Sequence, residues 1–368
     1  MRETKPPSLG FVAVLALALA AVGCRAEEPP RSSAAAGSQD HAVILLYHHV
    51  SEDTPASTSV TPRTFEDHLD YLADYNVVSL EAIVSAIENG DPLPPDAVAI
   101  TFDDAYESVY TEALPRLERR GWPFTVFAST DYIDDDYGGY LSWDQLREIE
   151  RRGGAVGNHS RAHRHMIRRQ PGESASEWRE RVAADIRHAG SRLADELEAP
   201  LTYFAYPYGE FDRDLEAVVA DLGLVAFGQQ SGPIGPASVR QHLPRFPVAT
   251  AYADLESLGD KLDSQPLPVR VLAPDSRVQA ADAGPPELRV RVPEGPYDRA
   301  RLNCFVTGQE TARISWRDDE ATIRASAPLS PGRSKFNCTV PARDEAGVYY
   351  WYSYLWIKPR PDGSWYPD

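Results

Sequence analysis

The chain has 368 residues, 42% of them hydrophobic and 25% charged, with a formal net charge of −18. That length exceeds one average domain and suits an enzyme-sized core plus a smaller module, and the composition excludes a disordered or fibrous chain. The acidic balance, with lysine only at Lys5, Lys261, Lys335 and Lys358, excludes nucleic acid as a partner because phosphates require a basic face.

At the N-terminus, basic "MRETK" leads into the apolar run "LGFVAVLALALAAVG", which ends at Cys24. The run is too short and too near the start for a comfortable spanning helix, so it reads as a targeting signal. Small residues ending in cysteine resemble the lipobox of bacterial lipoproteins, with Ala21 where Leu is more usual. The resemblance implies a signal peptide over 1–24, lipidation at Cys24 and a lipid-anchored place in the cell envelope. Arg25 matches the pattern for outer-membrane sorting. The alternative is an ordinary secretory signal with an incidental cysteine. Residues 25–41, rich in Pro, Ser, Ala and charge, predict a disordered tether. Cys304 and Cys338 remain, and an even pair in an oxidising compartment predicts one disulfide.

From 42 to 264, strand-like and helix-like segments alternate. "AVILLYHHV" is a continuous apolar run, as a strand buried on both faces would be. "TFEDHLDYLADY" follows with Phe65, Leu69 and Leu72 on one helical face, and "EAIVSAIENG" stops at Gly90. Next come the strand "AVAITF", a helix over Glu107–Arg120 closed by Gly121, and the strand "FTVFAST". "SWDQLREIERRG" is a helix capped by Ser142, "AVGNHS" a short strand, and a long helix lies within Ser174–Leu197. "LTYFAYPYG", "FDRDLEAVVADLG", "LVAFG" and "RFPVA" complete an α/β rhythm that predicts a mostly parallel sheet or barrel.

Residues 265–286 are Pro-rich and predict a linker. Over 287–368, short alternating runs with the order Cys–Trp–Cys predict a small all-β sandwich of Ig-like architecture. The aromatic run Tyr349–Trp356 reads either as a sugar-stacking platform or as core on one face and cover on the other.

Candidate chemistry gathers at strand ends, where α/β folds bind ligands. "AITFDD" places Asp103 and Asp104 side by side, and such neighbours need a cation or a shared proton unless one is simply a helix cap. "GNHSRAHRHM" offers His159, His163 and His165, and one Asp with two His is a common set for zinc and related divalent metals. A solvated basic loop is the competing reading. "FAYPYGEFD" forms a turn at Tyr208–Gly209 whose backbone N–H could hold an oxyanion.

In this order, "TFDD", "HSRAH" and "YPYG" resemble the first three motifs of the NodB-type polysaccharide deacetylases, carbohydrate esterase family 4. The resemblance covers about Ala42 to Asp263 and implies a deformed (β/α) barrel that removes acetyl groups from N-acetylhexosamine polymers with one divalent metal. Zinc is the first choice, with cobalt, nickel and iron compatible with the same ligands. It implies Asp103 as general base and Asp104, His159 and His163 as metal ligands. Ala205 and Tyr206 stand where the family usually has an Arg before its turn, which leaves Arg240 or Arg245 to orient Asp103 and Tyr206 near substrate. The opening "LLYHHV" resembles the poly-β-1,6-N-acetylglucosamine deacetylases of biofilm export systems. That implies His48 as the leaving-group acid, with His49 and His242 as alternatives, an extracellular or periplasmic N-acetylglucosamine polymer as substrate, and contact with exopolysaccharide export machinery. Two other readings compete: a non-catalytic polysaccharide-binding surface lipoprotein, and a same-fold deacetylase of peptidoglycan or O-acetyl esters.

Overall fold

The structure is a computed structural model that describes residues 39–197, 202–249 and 252–367. The expectations for residues 1–24, Cys24 included, and for 25–38 of the tether lie outside the described residues. Ordered pairing already begins at Gln39, whose backbone exchanges two hydrogen bonds with Leu93.

Eight strands make one parallel sheet. Its order is Phe246–Pro247, Val43–Tyr47, Ala97–Phe102, Phe124–Ala128, Gly154–Asn158, Tyr203–Ala205 and Val225–Phe227, with Asn76–Val77 pairing at the start of Ala97–Phe102. Val43–Tyr47 and Ala97–Phe102 are buried at every position, which is why they read as unbroken apolar runs rather than alternating ones. Each large side chain so buried contributes about 1.5–3 kcal/mol.

Helices cover the sheet and begin where the local chemistry starts them. Thr61 caps Pro62–Tyr71, which buries Phe65 and Leu69, and Ser142 and Ser174 form capping boxes with Gln145 and Glu177. The segment after Asp104 departs from the helix expected over Glu107–Arg120. Asp104 and Ala105 both hold positive φ, a wide π turn occupies Val109–Ala113, and regular α-helix starts only at Leu114. Backbone bent to aim Asp104 cannot enter a helix directly, and wide turns of this kind gather at functional sites.

The C-terminal region holds two four-stranded sheets around one core. One contains Gln265–Pro266, Tyr349–Lys358, Gly332–Pro341 and Asn303–Val306; the other contains Arg270–Ala273, Glu287–Arg291, Glu320–Arg324 and Arg313–Arg317. Cys304 and Cys338 lie directly opposite each other and form a disulfide. The stretch expected as a linker instead contributes two of these strands, because its alternation of Pro with apolar residues suits short edge strands. In the aromatic run, Tyr354 and Trp356 are buried, whereas Tyr349 is exposed. The described residues belong to one compact unit, in which the β-rich region packs against the α/β region.

Candidate metal centre and active site

Tyr47, Phe102, Asn158 and Ala205 end four strands of the parallel sheet. The residues that follow them, His48, Asp103, His159 and Tyr206, therefore leave the sheet at the same edge.

Asp103 is fully buried. Its two carboxylate oxygens accept hydrogen bonds of 2.7 Å each from Nη1 and Nη2 of Arg245, which is itself fully buried. The guanidinium also donates to Gly228 O and Thr101 Oγ1, so its plane is fixed. Burial pushes the Asp103 carboxyl up, yet Arg245 and then His159 outweigh it and hold the group below its ordinary value.

Asp104 faces two histidines. Its Oδ1 lies 3.2 Å from His159 Nε2 and 3.1 Å from His163 Nε2. One donor atom from each of Asp104, His159 and His163 can be chosen so that all lie within 4.8 Å of one another. His159 Nδ1 sits 2.8 Å from Ala205 O. A carbonyl only accepts, so the ring donates from Nδ1 and offers Nε2 to the site. That Nε2 is buried and makes no hydrogen bond in spite of Asp104 beside it. An orphaned imidazole nitrogen facing a carboxylate and a second imidazole fits a divalent cation.

The loop carrying the two histidines is built from short-range bonds. Asn158 donates to Ile186 O and accepts from Ser160 N, while Ser160 Oγ accepts from His163 N. These bonds hold Ser160 and His163 at φ of 72° and 49°. Together with Asp104, Ala105 and Tyr208, they account for five of the eight non-glycine residues with positive φ among the described residues. Strain that gathers in one place in this way marks a functional site.

Other expected residues fall in different places. His48 lies within the electrostatic reach of Asp104 and Asp103, and burial, which these carboxylates oppose, holds its imidazole below the ordinary value. His49 stacks on Tyr106 with ring centroids 3.5 Å apart, and burial lowers it to about 4. Tyr208 sits with its ring 4.4 Å from that of His163. His165 turns away from the cluster to Glu210.

Two expectations are corrected. Tyr206 is fully buried between Phe204 and Phe211, and its hydroxyl donates to Gln241 O, so it is core rather than substrate contact. Arg240 pairs with Glu88 on the surface and does not reach Asp103; Arg245 is the residue that does. His242, an alternative acid, stacks on Phe211 and pairs with Glu216.

A cavity of about 930 Å³ lies between the two regions along Gln230, Pro266, Arg277, Tyr297 and Trp351. None of Asp103, Asp104, His159 or His163 lines it. Donor chemistry, not concavity, locates this site. Glu210, Arg333 and Tyr366 meet behind Tyr208, an encounter between distant segments that no local pattern signals.

A parallel α/β half-barrel with a cation-ready Asp–His–His cluster beside a guanidinium-held carboxylate defines a class of metal-binding hydrolase folds. Residues 90–227 match the model of the polysaccharide deacetylase family. The poly-β-1,6-N-acetyl-D-glucosamine N-deacetylase of Escherichia coli K12 is 26% identical over 242 residues, which cover 55% of this chain and 36% of that protein. The protein of the same name from Staphylococcus aureus MRSA252 is 22% identical over 198 residues, covering 52% of this chain and 68% of its own. The chain thus spans about a third of the E. coli relative's length. Among solved structures, IcaB from Ammonifex degensii superposes with a TM-score of 0.54 at 24% identity, covering 61% of this chain and 98% of that one. The Streptococcus pyogenes deacetylase PplD in complex with acetate gives 0.54 at 21%, covering 60% and 98%. These two likenesses establish the fold.

Proposed function

We propose that the chain is a metal-dependent N-deacetylase acting on an N-acetylhexosamine polysaccharide, with poly-N-acetylglucosamine as the favoured polymer. The observation that carries the reading is the orphaned His159 Nε2 facing Asp104 and His163, beside an Asp103 kept ionised by Arg245. The relatives named as poly-β-1,6-N-acetyl-D-glucosamine N-deacetylases favour that polymer over others. When bound at Asp104, His159 and His163, a divalent ion supplies Lewis acidity towards the acyl oxygen and lowers the pKa of water.

The remaining roles belong to the chain. Asp103 accepts the proton of the attacking water as oxygen adds to the acyl carbon. The main-chain N–H of Tyr208, held at φ 59° beside His163, is the candidate donor to the developing oxyanion. His48 gives its proton to the nitrogen as the C–N bond breaks, leaving acetate and a free amine. Burial disfavours the imidazolium this requires, and the charge of Asp104, with Asp103 before it takes up a proton, offsets part of that cost.

The same proposal places the chain at the cell envelope through lipid on Cys24, on the strength of the apolar run that precedes it. Labelling with a fatty-acid analogue should mark the wild-type chain and spare Cys24→Ser. The enzymatic reading is tested by incubating metal-loaded protein separately with β-1,6-N-acetylglucosamine oligomers, peptidoglycan and acetylated xylan. Acetate released fastest from the first supports the proposal; faster release from either other polymer reassigns the substrate. No release from any of the three points to a non-catalytic binding protein.

A further inference from the structure

Glu210 follows the Tyr208 turn by two residues, and its carboxylate is fully buried. A buried charge is costly unless it is paired and hydrogen-bonded. Here Oε2 lies 2.7 Å from His165 Nδ1, and Oε1 accepts from the Tyr366 hydroxyl at 2.5 Å, with Arg333 Nε at 3.8 Å. Arg333 also donates from Nη1 to Tyr208 O at 2.9 Å, and its guanidinium lies 5.3 Å from the centre of the Tyr208 ring. That ring stacks on His165 at 3.8 Å with an interplanar angle of 4°.

Three separate segments therefore meet at one carboxylate: the loop bearing His159 and His163, the turn bearing Tyr208, and the C-terminal β-rich region. A second tie runs beside the first. Lys335 donates to Gln229 O, and Gln229 presses against Gly209 so closely that an added Cβ would lie 2.6 Å from its Cβ. Tyr208 holds a left-handed backbone that a non-glycine residue keeps only when its surroundings enforce it.

We propose that the C-terminal β-rich region is a working part of the active site, in which Arg333, bonded directly to the Tyr208 carbonyl, and Tyr366, acting through Glu210, are positioning residues for the Tyr208 turn. Arg333 fixes the peptide plane that follows Tyr208, and Tyr366 and His165 hold Glu210 from two directions. The region is thus a brace for the catalytic turn rather than a detachable sugar-binding module. This inference rests on the reading of Tyr208 as part of a deacetylase site, and the test separates the two.

The test uses the full chain with Arg333→Ala, Arg333→Lys and Tyr366→Phe; Arg333 is partly exposed and Tyr366→Phe keeps the ring, so each variant should fold. For Arg333→Ala, kcat for acetate release should fall about 10- to 100-fold, as expected for a misplaced group remote from the reacting atoms. KM should stay within about threefold, and the affinity for zinc should not change. Arg333→Lys should recover part of kcat by keeping one donor to Tyr208 O, and Tyr366→Phe should lower kcat in the same sense. Hydrogen exchange at the Gly209 and Glu210 amides should quicken about tenfold in Arg333→Ala. A kcat within twofold of wild type with unchanged exchange, or a lowered melting temperature alone, overturns the brace. If wild-type protein releases no acetate from any acetylated amine, the deacetylase reading fails, and the exchange comparison still decides whether Arg333 holds the turn.

Discussion

Arg245 grips Asp103 through two parallel hydrogen bonds of 2.7 Å, and both side chains are fully buried. Such a pair is hard to break from one side, because the partner left behind is an uncompensated buried charge. Arg245→Ala should cost about 3–5 kcal/mol in urea unfolding, together with most of the activity. Arg245→Lys should recover part of the stability but less of the turnover, since an ammonium cannot present the planar fork. An unfolding transition unchanged in Arg245→Ala would mean the clamp contributes nothing to the fold.

The donor set makes a separate prediction about metal. His159→Ala and His163→Ala should each abolish tight zinc binding in a competition titration, with the circular dichroism spectrum preserved. His165→Ala should keep the metal, because its ring is committed to Glu210. Retention in His163→Ala with loss in His165→Ala would reassign the third ligand.

The two adjacent carboxylates should also separate. Asp103→Asn should still bind zinc while kcat falls about 10²- to 10⁴-fold, as for loss of a general base. Asp104→Asn should weaken zinc binding itself. Equal metal loss in both would end the division between base and ligand.

How much of this was legible beforehand depends on the range of the interactions. The parallel strands were readable because Val43–Tyr47 and Ala97–Phe102 are buried at every position, which leaves continuous apolar runs. The strand ends offered an Asp pair and three histidines, and the resemblance to the NodB-type deacetylases singled out Asp104, His159 and His163 among them. Arg245 could only be narrowed to a pair with Arg240, since 142 residues separate it from Asp103 and nothing local shows which arginine turns inward. Tyr206 was misplaced for a simpler reason. One step past a strand end decides between site and core, and its neighbours Phe204 and Phe211 draw it into the core. The π turn at Val109–Ala113 was hidden because its cause is the bent backbone at Asp104 and Ala105, not its own composition.

A pH-dependent contribution to stability follows from Lys335. Burial, with a smaller push from Arg333, lowers its ammonium from 10.5 to about 8 while its Nζ donates to Gln229 O. The folded state thus binds fewer protons than the unfolded chain between these values. Stability from this group therefore rises as pH increases through that window, and is fully lost below the folded value. Lys261, buried and likewise lowered to about 8, adds a contribution of the same sign. Urea midpoints measured from about pH 7.5 to 9.5, below the ordinary tyrosine range, should rise for wild type and less steeply for Lys335→Met. Identical slopes in the two proteins would show that Lys335 is charged in the folded state throughout.

His48 carries the last prediction. Expelling an amine from a tetrahedral carbon requires a proton on nitrogen, because an amide anion is a very poor leaving group. His48 follows the strand Val43–Tyr47, and its imidazole senses both Asp104 and Asp103. Burial disfavours its charged form, and the two carboxylates offset part of that cost. His49, its neighbour, is committed to stacking on Tyr106, and burial lowers it to about 4. An activated aryl acetate has a leaving group that departs without protonation, so it does not need the acid. His48→Ala should therefore cut acetate release from N-acetylglucosamine oligomers by about 10²-fold or more while reducing aryl acetate hydrolysis much less. His49→Ala should affect the two substrates alike, through the wall it forms with Tyr106. Equal losses on both substrates in His48→Ala would remove it as the acid and leave it a structural residue of the strand end.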